Sequence, residues 1–412
     1  MNVKNKNNTR DFAWNAVGLT LNACNSLFFL IVVRFINGLD TAGIFTYTFA
    51  LCVFLYAFLL YYNRSFQVSD AKNKFSFNDY LSCRAITSVL GLVAILIFAL
   101  INHFSLFEIG VVLLLSGFRV VEAISDCFYG AIQKKDKLYQ TGISLSLKAI
   151  FGLLFFALID WLTKDLLFAL VALILVNLLF FCFYDLPNYR KLYTGKIKLQ
   201  FSHLKPLFKA CLPVLIFSAL AIYLSNCQKY VLPYFEPDNV QAIFGILIMP
   251  ATLLALIGSY LINPFINSFT KHHTEKNYST FIKSTKKILS SMSIIGIVTL
   301  IICFFIGIPI LELIFQLDLS IYQIPFELII LASIFYAMTM IISSLLTILG
   351  ENRRQTYIYL IATIIATITA ILLIPVSGII GAIYSFLISS FVLIILYIVL
   401  LQYKLHKVNH AK

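Results

Sequence analysis

Twelve apolar runs, each near the 20 residues or so that a helix needs to cross a bilayer, recur along this chain. They occupy 12–33, 41–62, 80–102, 107–130, 139–160, 165–185, 207–234, 240–270, 288–310, 324–349, 355–375 and 379–402. In hydrocarbon every backbone N–H and C=O must be satisfied internally, so continuous runs of this length are helices. A transmembrane β-barrel would show alternation instead and is excluded. Composition agrees: 60% of the 412 residues are hydrophobic and 12% are charged, against roughly 25% charged in soluble domains. Such a chain cannot supply the polar exterior of a soluble enzyme, nor is it a disordered or secreted disulfide-stapled chain. The first run is too long for a signal peptide and lacks a small-x-small cleavage site, so it is the first span. Pro250 and Pro264 predict a kinked 240–270 segment. Pro213, Pro233, Pro309 and Pro325 sit near span ends, where lost backbone bonds are easier to satisfy.

An even number of spans puts both termini on one side. Placing that side in the cytoplasm gathers 26 of the 31 Lys and Arg residues into inner segments: 4–10, 64–84, 134–137, 190–209, 271–287, 353–354 and 404–412. Only Arg34 and Lys164 fall outside, with nine acids including Asp160. Asp185, closing the sixth run, counts with the inner acids. This is a positive-inside pattern. The net charge of +13 is therefore an orientation signal. The bases are scattered over seven short segments, which argues against a nucleic-acid partner and for ordinary contact with lipid headgroups.

No inserted soluble domain, phosphate-cradling glycine loop or His-Glu-x-x-His helix is present. His272–His273 read as a solvated pair rather than a metal site. All eight cysteines lie in or beside spans without a Cys-x-x-Cys pair, as small packing residues would. Transport is the expected class, with no catalytic residue and no cofactor.

The spans divide into two halves of six. A cytoplasmic segment 1–11 precedes a lobe 12–185; a linker 186–206 leads to a second lobe 207–402 and a tail 403–412. Asp40-Thr41-Ala42-Gly43-Ile44-Phe45 opens the second span of one half, Asn239-Val240-Gln241-Ala242-Ile243-Phe244 that of the other. Gly130 precedes a Lys134-Lys135 turn and Gly350 an Arg353-Arg354 turn. Both halves start inside, so the repeat is parallel.

Ionisable groups inside a bilayer are costly and face protein or water. Arg119, Glu122 and Asp126 share one helical face of the fourth span. Arg119 with Glu122 is either an internal ion pair or part of a cavity lining; Asp126, near the inner end, is either functional or simply wet. Lys148, central in the fifth span, either pairs with Glu122 across helices or faces a water-filled cavity. Lys229 either snorkels outward or joins Ser218 and Ser225 on a polar face of the seventh span. Asn15, Asn22 and Ser26 form a similar face on the first span. The two faces line a hydrophilic path or make interhelical hydrogen bonds. A positively lined cavity suits a substrate with anionic groups such as phosphates. Asn, Ser and Tyr suit sugar hydroxyls, and a lipid tail suits the apolar exterior.

Trp14-Asn15 followed by Arg34-Phe35-Ile36-Asn37-Gly38-Leu39-Asp40-Thr41-Ala42-Gly43-Ile44-Phe45, with the Gly350-Glu351-Asn352-Arg353-Arg354 turn, resembles the polysaccharide-export branch of the multidrug/oligosaccharidyl-lipid/polysaccharide exporter superfamily. The resemblance runs along the whole chain, although Phe66 and Gln67 stand where that family commonly has glycine. It implies an all-α integral membrane protein with twelve transmembrane helices in two six-helix bundles, a MATE-like transporter fold with both termini cytoplasmic. It also implies a flippase for an undecaprenyl-pyrophosphate-linked repeat unit in the bacterial cytoplasmic membrane. Alternating access and a proton or sodium gradient follow, with Glu122 or Asp126 as coupling group. The implied partners are the lipid-linked oligosaccharide, membrane lipids, a polysaccharide polymerase and chain-length proteins. A drug exporter of the multidrug-extrusion branch is the alternative, and a membrane polysaccharide polymerase a more distant one.

Overall fold

The computed structural model describes residues 3–61, 63–70, 74–201 and 204–410; Lys72 and Lys412, counted above among the inner bases, lie outside them. The apolar runs are helices: α1 (Val3–Asn37), α2 (Leu39–Leu60), the short α3 (Asn63–Ser69), α4 (Phe77–Ile101), α5 (Leu106–Gln133), α6 (Leu138–Thr163) and α7 (Leu166–Phe180). A π-helical turn, Phe181–Asp185, joins α7 to α8 (Leu186–Leu192). Then follow α9 (Leu204–Val231), α10 (Asp238–Leu247), α11 (Met249–Ile262), α12 (Ile266–Thr274), α13 (Tyr278–Phe315), α14 (Gln323–Ile348) and α15 (Asn352–His410). Starts are set locally: Ser76 with Asp79 and Ser105 with Glu108 form capping boxes for α4 and α5. Pro250 and Pro264 break the 240–270 run into α10, α11 and α12, as their missing N–H groups require.

Among the described residues ten helical segments are long and apolar enough to cross a membrane. The 28-residue α5 is not one of them, because its charges interrupt the apolar window. The last segment is 59 residues long, about 89 Å if straight at 1.5 Å per residue. It breaks at Gly378, whose φ of 55° and ψ of −129° are non-helical.

The chain forms two compact units, Met1–Ile222 and Tyr223–Lys412. The division falls inside α9, because Leu207 and Cys211 pack with Phe75, Tyr80, Cys83 and Cys127 of the first unit. Within that unit α5 is central, packed by α2, α3, α4, α6, α7 and α8. Within the second unit α14 takes the same place, packed by α11, α12, α13 and α15. Each of the two is thus packed by the two long helices that precede it, α2 and α4 for α5, α11 and α13 for α14. The glycine correspondence does not hold: Gly350 turns with a φ of +78°, whereas Gly130 is helical and leaves room for the Gln67 side chain.

Helices α1 and α6 run parallel in a fixed register. Asn25 Nδ2 donates to Ala149 O at 3.1 Å, and Asn37 Nδ2 donates to Asp160 Oδ1 at 3.1 Å. Asp160, read from sequence as an outer-loop acid, is fully buried by this contact. At the other end Gly18 and Gly142 let the two backbones touch: a Cβ on Gly18 would lie 2.5 Å from Gly142 O, and one on Gly142 2.5 Å from Asn15 N. Small residues permit such approach in membrane helices. G142A is expected to destabilise the first unit by roughly 1–3 kcal/mol, the usual cost of overpacking. A lowered melting temperature of purified protein checks it; an unchanged one removes this crossing as the anchor of α1.

Candidate translocation site

Five polar residues of α5, Arg119, Glu122, Asp126, Tyr129 and Gln133, recur at intervals of three and four and so form one face. The face is about 21 Å long at 1.5 Å per residue. Each neighbouring helix supplies it with a partner.

At one end Arg119 Nη1 donates to Glu122 Oε2 one turn along the same helix. The guanidinium also lies 4.8 Å from the Phe49 ring, and 5.2 Å from those of Tyr56 and Phe118, a cation–π setting. The sequence reading of an ion pair is present here, formed within one helix.

Lys148 of α6 reaches the middle of the face. Its three donors are all engaged: Ser125 Oγ at 2.8 Å, Tyr129 OH at 3.1 Å and Asp185 Oδ2 at 2.6 Å. Ser144 Oγ donates to Asp185 Oδ1 at 2.6 Å and contacts Tyr129 OH at 2.8 Å. The ammonium group therefore pairs with Asp185, not with Glu122. An ammonium has only three N–H groups, so this Lys148 has none left to offer a ligand, and its side chain is 6% exposed. Asp185, counted from sequence as an inner-surface acid, is 1% exposed. The π-helical turn places it there. Pro187 has no N–H for Phe183 O and its ring crowds that carbonyl, while Leu186 N–H bonds to Phe181 O instead. The widened turn rotates Asp185 into the bundle.

Asp126, midway along the face, is clamped rather than wet. Arg64 Nη1 of α3 donates to Oδ1 at 3.1 Å and Arg84 Nη2 of α4 to Oδ2 at 3.0 Å. Arg84, fully buried, also donates to Leu59 O at 2.8 Å, where Thr87 Oγ1 joins it at 2.9 Å. These bonds satisfy a carbonyl in the last turn of α2. Both arginines had been read as topological bases. The cluster holds four cations and three carboxylates, one positive charge in excess.

The other sequence candidates lie elsewhere. Asn15, Asn22 and Ser26 are half-buried on α1, and Ser26 Oγ bonds back to Ala23 O. On α9, Ser218 is buried in the first unit, whereas Ser225 and Lys229 belong to the second and are half-buried. Tyr129, Gln133, Arg64, Arg84 and Asp185 were missed. Continuing the 119, 122, 126 spacing finds the first two; the rest require the tertiary fold.

Removing one member of a buried pair leaves an uncompensated charge, at a cost of about 3–5 kcal/mol, whereas an apolar replacement of both is often tolerated. K148M and D185L are each expected to destabilise the protein, and the double variant K148M/D185L to recover most of the loss. Melting temperatures over this double-mutant cycle check the pairing; strictly additive losses would refute it.

No protein-family model matches the chain. It is 25% identical over 400 residues to the capsular polysaccharide biosynthesis protein CapF of Staphylococcus aureus, covering 94% of this chain and 98% of that protein. Among solved structures it is similar to an inward-facing multidrug resistance MATE family transporter of the MOP superfamily, with a TM-score of 0.63 and 14% identity over 100% of this chain and 96% of the other. It is also similar to a MOP superfamily transporter from Pyrococcus furiosus described as having a binding pocket of reverse polarity, with a TM-score of 0.60 and 12% identity over 98% and 96%. The chain thus has the fold of the MATE transporters.

Proposed function

We propose that this protein is a flippase that moves an undecaprenyl-pyrophosphate-linked oligosaccharide from the cytoplasmic to the outer leaflet of a bacterial cytoplasmic membrane, for O-antigen, capsule or exopolysaccharide assembly. The observation that carries the reading is the cationic excess gathered around α5, with Arg64, Arg84 and Lys148 supplied by its neighbours inside an apolar bundle. Such a field attracts an anionic headgroup and repels a cationic drug. The likeness to a capsular polysaccharide biosynthesis protein along nearly the whole chain supports the same substrate class.

The topology belongs to this proposal. Parallel α1 and α6 agree with crossings by each of α2, α4 and α5 between them, so α5 spans despite its charges. The break at Gly378 supports two crossings in α15. Added to the apolar helices, these give twelve spans with both termini cytoplasmic. Translocation proceeds by alternating access, with Arg119 and Lys148 setting the field of the first unit, where Asn15, Asn22, Ser26 and Ser218 also lie, and with Ser225 and Lys229 as candidate contacts in the second. A proton or sodium gradient drives the cycle through Glu122 or Asp126, since protonating either carboxylate leaves an arginine uncompensated. No covalent step is involved, and a polymerase and chain-length proteins act on the delivered unit.

Depletion of the protein is expected to build up one lipid-linked glycan on the cytoplasmic leaflet and to lower surface polysaccharide. Leaflet-resolved lipid analysis checks this. Unchanged glycan lipids together with sensitivity to cationic compounds would favour a drug exporter instead. E122Q at matched expression is expected to lower surface polysaccharide severalfold, and wild-type levels would dismiss Glu122 as the coupling group.

A further inference from the structure

Three of the four cations in the α5 cluster are closed off. The side chain of Arg84 is 1% exposed, that of Lys148 6% and that of Arg119 11%, with Lys148 and Arg119 each on its own carboxylate and Arg84 on the Asp126 that it shares with Arg64. Arg64 differs, at 24% exposed. Its Nε and Nη2 form the edge with which a guanidinium grips an oxyanion through two parallel bonds. Here both donate to one neutral oxygen, Gln133 Oε1, at 3.3 and 3.1 Å. Charge-assisted bonds to an oxyanion are shorter, about 2.7–2.9 Å, and roughly twice as strong. Asp126 does not depend on this edge. It meets Arg64 through Nη1 alone, and its second oxygen is held by Arg84, itself anchored on Leu59 O. The excess positive charge of the cluster is therefore most available at Arg64. Lys134 and Lys135 follow Gln133 directly and raise the local potential.

We propose that the Nε–Nη2 edge of Arg64 is a binding subsite for a phosphate-type oxyanion, with the Gln133 amide as a placeholder that the incoming group displaces. As the substrate's first contact it rests on the flippase reading. The same chemistry is offered by the pyrophosphate of a lipid-linked glycan and by a phospholipid headgroup.

The full chain in phosphatidylcholine nanodiscs, titrated with undecaprenyl pyrophosphate and read by native mass spectrometry, tests the subsite. Q133E puts a carboxylate on the edge and leaves Arg64 in place. R64K keeps the charge but loses the paired donors. Each is expected to bind about tenfold more weakly, the worth of one charge-assisted hydrogen bond. Q133A, which frees the edge, binds at least as tightly as the parent chain. Melting curves establish folding, and Q133E decides if R64K does not fold. Parent affinity in folded Q133E overturns the proposal. Inorganic pyrophosphate and added phosphatidylglycerol then serve as competitors. Competition by pyrophosphate alone assigns the subsite to the glycan carrier, competition by phosphatidylglycerol assigns it to a phospholipid headgroup, and competition by neither overturns it. If Q133E weakens binding in nanodiscs while cells keep full surface polysaccharide, the subsite stands and the flippase reading falls.

Discussion

A charged side chain inside an apolar bundle is costly unless it is paired and hydrogen-bonded, and α5 carries three on one face, Arg119, Glu122 and Asp126. Its neighbours are held by ion pairs and hydrogen bonds made to that helix. Arg64 brings in α3, Arg84 brings in α4 and the end of α2, and Lys148 with Asp185 brings in α6 and the turn after α7. Apolar packing alone would leave such helices free to slide, because lipid tails are as apolar as leucine. Directional pairs at 2.6–3.1 Å set their register.

The two units share a wiring plan and differ in chemistry. The helix equivalent to α5 in the second unit is α14, whose only charged residue is Glu327, near its start. Its buried polar atoms are hydroxyls such as Ser333 and Thr339 bonded back to their own helix. Ion pairs surround α5 in the first unit, whereas in the second Glu351 meets Arg354 and Lys404 at the start and end of α15, and buried contacts elsewhere include hydroxyls and amides such as Gln228 to Ser385.

Much of this architecture was legible in the residues. Run length located the helices, and Pro250 and Pro264 located the breaks. The 119, 122, 126 spacing marked the charged face of α5 before any fold was known. What sequence did not reveal is where a charge near a span end points. Asp185 and Arg84 occupy positions that look wet in one dimension, and only the π-helical turn and the end of α2 show them buried. Lys148 was read as pairing with Glu122 or facing a water-filled cavity; its partner Asp185 lies 37 residues away in sequence, beyond anything periodicity reports. Gly130, noted from sequence only as preceding the Lys134-Lys135 turn, is helical and clears space for Gln67.

The plain hydrocarbon of α14 has a consequence for how such a protein drifts. Volume-conserving swaps among Leu, Ile, Met and Val usually cost under about 1.5 kcal/mol, so the second unit has many neighbouring sequences of similar stability. The α5 face has few, because a change at Asp126 or Lys148 demands a matching change on another helix. Descendants of one ancestor therefore diverge faster along α14 than along α5.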